Sequence, residues 1–247
     1  MNTPKGVWAM ARRGLVIAVL LVVSSGLSYP GGTLHDESTR GYSFTHNFLS
    51  DLGTGVALNY QRNATGAVLF VVSVVVGVLA LGSLIVATVR LLSAAPRARS
   101  FALLAAVAGV IACVGFLGAA IVPVDRAWRL HTLSGMAGFR SFPVVTALLA
   151  IATARDARFR SRAAVGWAAL TIVVIGLIVA SLLGPTTDTE RGLATQVIMQ
   201  KIMVASMILV LWFESHEAEI VINSGIASAA IGAPPPHRPA NERTPES

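Results

Sequence analysis

Two basic residues, Arg140 and Lys201, lie within long apolar stretches of this 247-residue chain. Each is eight residues into its stretch, which is about 12 Å along a helix. A cation at the centre of a membrane-spanning helix costs about 2.5–3.5 kcal/mol on insertion scales, so it usually has a partner and a function. Because no Asp or Glu lies in these stretches, we expect the balancing charge from a loop carboxylate, Asp51 first and Asp125 second, or from a bound anion.

Amide side chains accompany the second of these cations. Gln196 and Gln200 are four residues apart, and Lys201 follows directly, so they form a polar stripe on one predicted helix. Polar side chains in such a helix usually face the bundle interior or a wet cavity. The alternative for Lys201 is that its long side chain extends to the membrane interface. The predicted ligand-binding residues are Asn47, Arg140, Gln196, Gln200 and Lys201.

A second group of polar residues has the side chains that acid–base and nucleophilic chemistry requires. The predicted catalytic residues are His46, Ser50, Asp51 and His131. A histidine could act as general base toward Ser50 or toward a bound water. Alternatively, His46, Asp51 and His131 could hold a metal ion through nitrogen and oxygen ligands. The structural alternatives are a capping or turn role for Ser50 and Asp51, and an interfacial role for His131.

The chain lacks the motifs of well-known hydrolases. Neither G-x-S-x-G nor H-E-x-x-H occurs in it. The sequence therefore leaves open whether a reaction is catalysed, and it identifies neither a cofactor nor a particular metal. An enzyme built from these residues would be a membrane-embedded lipid hydrolase or transferase.

The composition tells us what kind of element must position these residues. Apolar residues make up 54% of the chain and charged residues only 13%, whereas soluble domains have about 45–50% and about 25%. This excludes a disordered chain, a coiled coil and an ordinary soluble enzyme. The single cysteine, Cys113, excludes an internal disulfide and a cysteine-based zinc site.

Six apolar stretches are long enough to cross a membrane, which takes about 20 residues. The sequence therefore predicts an all-α integral membrane protein, a six-helix transmembrane bundle over residues 14–213. The predicted spans are Gly14–Tyr29, Ala64–Leu92, Phe101–Val124, Thr132–Ala154, Ala163–Gly184 and Leu193–Phe213. The alternative for the first span is a cleaved signal peptide.

The distribution of basic residues predicts the orientation. Twelve of the 19 Lys and Arg residues fall in segments on the same side as the N-terminus, which the positive-inside rule places in the cytoplasm. We therefore expect a bacterial inner-membrane protein whose N- and C-termini are both inside. Residues 1–13 would be a cytoplasmic N-terminus, and the Pro-rich segment 214–247 a largely disordered cytoplasmic tail. The net charge of +7 is then an orientation signal rather than a sign of nucleic-acid binding.

The first outer loop, residues 30–63, is far longer than a tight connection. Within it, Phe44, Phe48, Leu49 and Leu52 recur at helical spacing. This pattern favours an interfacial or partly re-entrant helix, which would carry the predicted polar residues of the loop toward the bundle.

Three motifs in these elements resemble a known family. They are His-Asn-Phe-Leu-Ser-Asp-Leu-Gly at 46–53, Pro123-x-Asp125 followed by His131, and a last span with Gln and Lys that ends in Trp212. Over residues 14–213 the chain resembles the bacterial and archaeal membrane family catalogued as domain of unknown function 998. That resemblance implies a six-helix membrane fold and no assigned reaction. The Ser-Asp-x-Gly element is also distantly similar to a loop motif of eukaryotic DRAM-type membrane proteins, some of which are implicated in handling lipids.

The residues are best explained by an outward-facing polar pocket that binds, and could modify, an anionic lipid or another anionic ligand. A small-solute transporter is one alternative, although it would need polar residues in the inner half of the spans as well. A non-catalytic membrane scaffold or subunit is the other. The expected partners are the lipid bilayer and an anionic lipid, with no nucleic acid.

Overall fold

The computed structural model describes residues 4–231 of the chain, which form six long helices. These are α1 (Pro4–Ser28), α2 (Ala64–Ser93), α3 (Pro96–Ile121), α4 (Val124–Ala154), α5 (Ser161–Leu183) and α6 (Glu190–Ile231). All six are long and apolar enough to cross a membrane. The predicted all-α fold with six spans is confirmed, and the protein is a multi-pass membrane protein.

The helix ends differ from the predicted spans mainly at the first and fourth helices. α1 begins at Pro4 and α4 at Val124, both earlier than predicted. α4 starts directly after Pro123, whose extended backbone ends the preceding connection. Within its first turns the backbone leaves helical geometry at Ala127, with φ −149° and ψ 68°. α4 therefore has a bent N-terminal segment before the predicted span.

The sixth helix is much longer than the predicted span. It continues to Ile231, into the segment 214–247 for which the sequence predicts disorder. Residues 232–247 of that segment lie outside the described residues. The extension contains Glu214, Glu217 and Glu219. All three follow Phe213, the predicted end of the last span, so the helix carries acidic residues beyond that span.

Consecutive helices pack side by side, and α6 returns to contact α1, so the helices form a closed bundle. The most extensive contact joins α3 and α4, which approach each other closely at Gly115. A Cβ atom on Gly115 would lie 2.3 Å from the backbone nitrogen of Gly138. Small residues allow such contact in membranes, where helix association depends on van der Waals packing.

The main core fills one half of the bundle. We call the end that carries loop 30–63 the loop end, and the opposite end the far end. Large buried side chains of the main core, such as Trp8, Leu92 and Leu149, lie in the far half. A separate, smaller cluster around Leu52 lies beneath the loop. The two halves are therefore packed by different sets of residues.

The long loop is folded, but its helical segment is shorter than predicted. In place of a helix through residues 44–52, there is a five-residue 3₁₀ helix, Leu49–Gly53. The side chain of Asn47 accepts a backbone N–H four residues earlier, and the carboxylate of Asp51 accepts the N–H of Phe48. These side chains bond to backbone groups that a longer helix would have to use itself, so the helix does not extend toward the N-terminus.

Candidate functional site

A cavity of about 690 Å³ lies in the loop half, between α1, α2, α3, α4 and α6 and beneath the long loop. Most of its wall is apolar. The polar side chains at its loop end are Tyr42, Ser50, His131, Gln200 and Lys201. Leu27 of α1 and Ala205 of α6 line the cavity and are also exposed, so it opens to the bundle surface between these two helices.

Lys201 is held under the long loop. Its side chain is 9% exposed, and its Nζ donates a 2.6 Å hydrogen bond to the backbone oxygen of Asn47. The same nitrogen lies 5.2 Å from the ring centre of Tyr42 and 5.1 Å from that of Phe44, which are cation–π distances. Among the described residues no carboxylate forms an ion pair with it. The expected ion pair between Lys201 and Asp51 therefore does not form, and neutral groups contact the cation instead.

Asp51 is partly buried near this cation, but its carboxylate is used within the loop. Oδ2 accepts hydrogen bonds from the N–H of Phe48 at 2.9 Å and from Nδ2 of Asn47 at 3.3 Å. Burial raises the pKa of Asp51 from its ordinary 3.8 to about 6, although these hydrogen bonds and the charges of Lys201 and His131 oppose the shift. The geometry favours the capping role over the catalytic one.

Asn47 has no side-chain N–H donor left for an anionic ligand. It is fully buried, and Nδ2 also donates to the backbone oxygen of Gly32 at 2.9 Å. Its Oδ1 accepts the N–H of Ser43 at 2.8 Å. The predicted ligand-binding residue is thus a residue that shapes the loop and presents a carbonyl oxygen to Lys201.

The predicted catalytic residues are only partly brought together. Ser50 and His131 line the cavity, but no hydrogen bond joins them. The Nδ1 of His131 lies 2.9 Å from the backbone oxygen of Val122; since a carbonyl only accepts, Nδ1 donates this hydrogen bond. His46 does not line the cavity, and its Nδ1 lies 2.8 Å from Oγ1 of Thr45.

The structure does not support the metal alternative. Within residues 4–231, no three His, Cys, Asp or Glu side chains are grouped so that they could hold a metal ion. The prediction that His46, Asp51 and His131 form such a group is therefore wrong, because His46 lies on the loop surface and the Asp51 carboxylate caps a helix.

Arg140 lies at a different cavity from Lys201. It is exposed and lines a space of about 290 Å³ between α4, α5 and α6. Gln196 lines the same space and bonds through Nε2 to the backbone oxygens of Ser181 and Pro185, both at 3.0 Å. The predicted ligand-binding residues Arg140 and Lys201 therefore line two separate cavities rather than one pocket.

Gln200 lies on the wall between the two cavities. It lines both of them, and its Oε1 accepts the N–H of Leu49 at 2.9 Å. The loop is thus attached to α6 at two successive residues, since Lys201 also bonds to it. The amide is partly used for this attachment, and its Nε2 forms no hydrogen bond with the described residues.

Sequence reasoning missed two residues that the structure makes prominent. Tyr42 forms one wall of the Lys201 pocket, and its only sequence signal is an aromatic ring near the loop motif. Glu214 is buried beyond the predicted end of the last span. Its signal is the spacing of Glu214 and Glu217, which places two carboxylates on one helix face.

Comparison of the chain with models of protein families, with curated proteins and with solved structures gives no match. The fold and its cavities define a six-span helical membrane protein. What it binds has to be argued from the site itself.

Proposed function

We propose that this protein binds an anionic amphipathic lipid, with an acyl chain in the larger cavity and the head group at the loop end. The observation that carries the proposal is the polarity of the cavity. Its long wall is apolar, whereas Ser50, His131, Gln200 and Lys201 gather at one end. A molecule that fits it must have an apolar body and a polar end.

The depth of the cavity supports a lipid rather than a soluble molecule. Lining residues of α6 extend from Gln200 to Leu211, which are eleven residues or about 16 Å apart along the helix. The hydrocarbon core of a bilayer is about 30 Å thick, so this depth corresponds to one leaflet. The opening between Leu27 and Ala205 faces the surface that the bilayer covers.

The charge at the loop end supports an anionic head group. An ammonium group has three N–H donors, and Lys201 uses one of them for Asn47. The others remain for a phosphate or carboxylate, and Nε2 of Gln200 adds a neutral donor. Asp51 lies close by, but its carboxylate faces the donors of Phe48 and Asn47.

The proposal also specifies the membrane and the orientation of the protein in it. The positive-inside rule favours a bacterial inner-membrane protein with both termini in the cytoplasm, so the bound lipid would come from the outer leaflet. The distant similarity of the Ser-Asp-x-Gly element to a loop motif of DRAM-type proteins, some of which are implicated in handling lipids, is consistent with the proposal. Modification of the lipid would fall to Ser50 with His131 as base; both line the cavity, and a ligand would have to bring them into hydrogen-bond contact.

Native mass spectrometry with lipid analysis on detergent-purified protein tests the proposal. Wild type should retain an anionic lipid, and Lys201→Met should lose it, because methionine keeps the apolar stem without the charge. Arg140→Ala is the matched control: it removes a cation from the other cavity and should leave the retained lipid unchanged. Thermal unfolding of each variant checks that it is folded.

Two results would overturn this proposal. One is a folded wild-type protein that retains no lipid under conditions that preserve annular lipid in other membrane proteins. The other is equal retention in wild type and Lys201→Met. Either result would favour a scaffold or transport role.

A further inference from the structure

A buried carboxyl group lies in the far half of the bundle, away from both cavities. Glu214 of α6 is 5% exposed, and its Oε1 has no hydrogen-bond partner among the described residues. It is about 20 Å along the helix from Lys201. A buried polar atom without a hydrogen-bond partner is rare in proteins and calls for an explanation.

The neighbouring helix makes room for this carboxyl group with a glycine. A Cβ atom on Gly166 of α5 would lie 2.3 Å from Oε1 of Glu214 and 3.2 Å from the ring of Phe213. The carboxyl group therefore occupies a notch between α5 and α6 that any larger residue at position 166 would fill.

The charged groups around Glu214 are engaged with other partners. On α5, Arg162 pairs with Glu217. On α1, Arg12 donates to Ser215 at 3.1 Å and to Glu219 at 2.9 Å, and His216 of α6 lies 3.8 Å from the same Glu219. None of these cations contacts Glu214.

A charged carboxylate at the position of Glu214 would be unfavourable in free energy. Burial of an isolated charge costs far more than burial of a neutral polar group, and the nearby carboxylate of Glu217 adds repulsion. The neutral acid fits the notch, whereas the anion requires water or a cation, which can enter only if α5 and α6 separate there.

We propose that the Glu214 carboxyl group is a proton-binding site, protonated while α5 and α6 are packed and deprotonated when this seam opens. The site is independent of the lipid cavity. At its loop end the same seam is joined by hydrogen bonds between Gln196 and Ser181.

An apolar carbodiimide, dicyclohexylcarbodiimide, tests the proposal on the purified full-length protein in detergent. A protonated carboxyl group adds across one C=N bond of the reagent, and the acyl group then migrates to nitrogen, which gives a stable N-acylurea with no leaving group. Peptide mass spectrometry should find the adduct on Glu214, with less of it as pH rises. Glu214→Gln should abolish this adduct, and Glu217→Gln, three residues along the same helix, should retain it.

Gly166→Ala provides a second variant in which the carboxyl group itself is unchanged. The added methyl group should push Glu214 out of the notch, so that a water-soluble carbodiimide labels it more and the apolar reagent labels it less. The proposal is overturned if folded wild type is not labelled at Glu214, if Glu217 is labelled equally, or if labelling does not depend on pH. None of these outcomes bears on lipid retention, so the two proposals can fail separately.

Discussion

At the scale of single residues, Lys201 illustrates how a cation is accommodated in an apolar bundle without an acidic partner. A carbonyl oxygen and the faces of Tyr42 and Phe44 replace part of its hydration. All three come from the loop rather than from a helix. The burial of the cation therefore depends on the loop fold that Asn47 and Asp51 maintain.

Asp51 should give the protein a measurable pH dependence. Because burial raises its pKa from 3.8 to about 6, the folded protein keeps a proton between about pH 4 and about pH 6 that the unfolded chain has released. The folded state binds more protons in this window, so stability should fall as pH rises through it, by up to about 3 kcal/mol.

Asp51→Asn should remove this pH dependence of stability, because an amide does not titrate in this range. The loop should keep its fold, since the amide oxygen can still accept the hydrogen bonds from Phe48 and Asn47. Thermal unfolding of both proteins across the window measures the effect. If wild type and variant show parallel pH profiles, Asp51 does not titrate in this range.

The sequence predicts that Lys201 and Arg140 lie within helices, but it does not predict which way each side chain points. Direction depends on how each helix is rotated in the bundle, which is decided by long-range packing. For this reason the two cations line different cavities.

At the scale of elements, the close contact of α3 and α4 should be the most sensitive to added volume. Gly115→Ala would place a methyl group against the backbone of Gly138, where neither helix can yield without separating. We expect a loss of about 1–3 kcal/mol in stability, seen as a lower unfolding temperature.

Gly176→Ala is the matched control for this effect. A Cβ atom there meets nothing within 4 Å, so the substitution should be neutral or stabilise α5 by up to about 1 kcal/mol. Equal destabilisation by both substitutions would mean that the close contact at Gly115 does not determine the result.

The six helices were predictable because hydropathy alone identifies spans. The 3₁₀ helix was not, because its pattern of Phe and Leu residues also fits a longer helix. Only the side-chain hydrogen bonds of Asn47 and Asp51 decide between the two. The extension of α6 was missed because its glutamates lower the mean hydropathy of the segment. In the folded protein, Arg12 of α1 pairs with Glu219 and Arg162 of α5 pairs with Glu217, so two of these charges are neutralised.

At the scale of the whole molecule, the opening between α1 and α6 should be the route into the larger cavity. Ala205→Trp would fill this opening and should reduce the retained lipid without a large loss of stability, since Ala205 is exposed. Ile202→Trp is the control: Ile202 is 47% exposed and lines neither cavity. Unchanged lipid content in Ala205→Trp would exclude this route.

The proposed orientation can be tested in intact cells. With Cys113 replaced by Ser, we expect a membrane-impermeant maleimide to label Thr45→Cys in the loop and not Ala94→Cys between α2 and α3, both exposed positions. Labelling of Ala94→Cys alone would mean that the loop end faces the cytoplasm and that the lipid comes from the inner leaflet.

At the far end, ion pairs join α6 to its neighbours: Arg12 of α1 pairs with Glu219, and Arg162 of α5 pairs with Glu217. The main core packs the same half of the bundle. While the seam between α5 and α6 is packed around Glu214, the helices are therefore held together most firmly at that end. If a helix tilts by a few degrees about its far end, the displacement of its residues grows along its length and is largest at the loop end, where the larger cavity lies. Amide hydrogens should accordingly exchange faster toward the loop end of each helix than toward the far end, a stiffness gradient that hydrogen-exchange mass spectrometry can resolve.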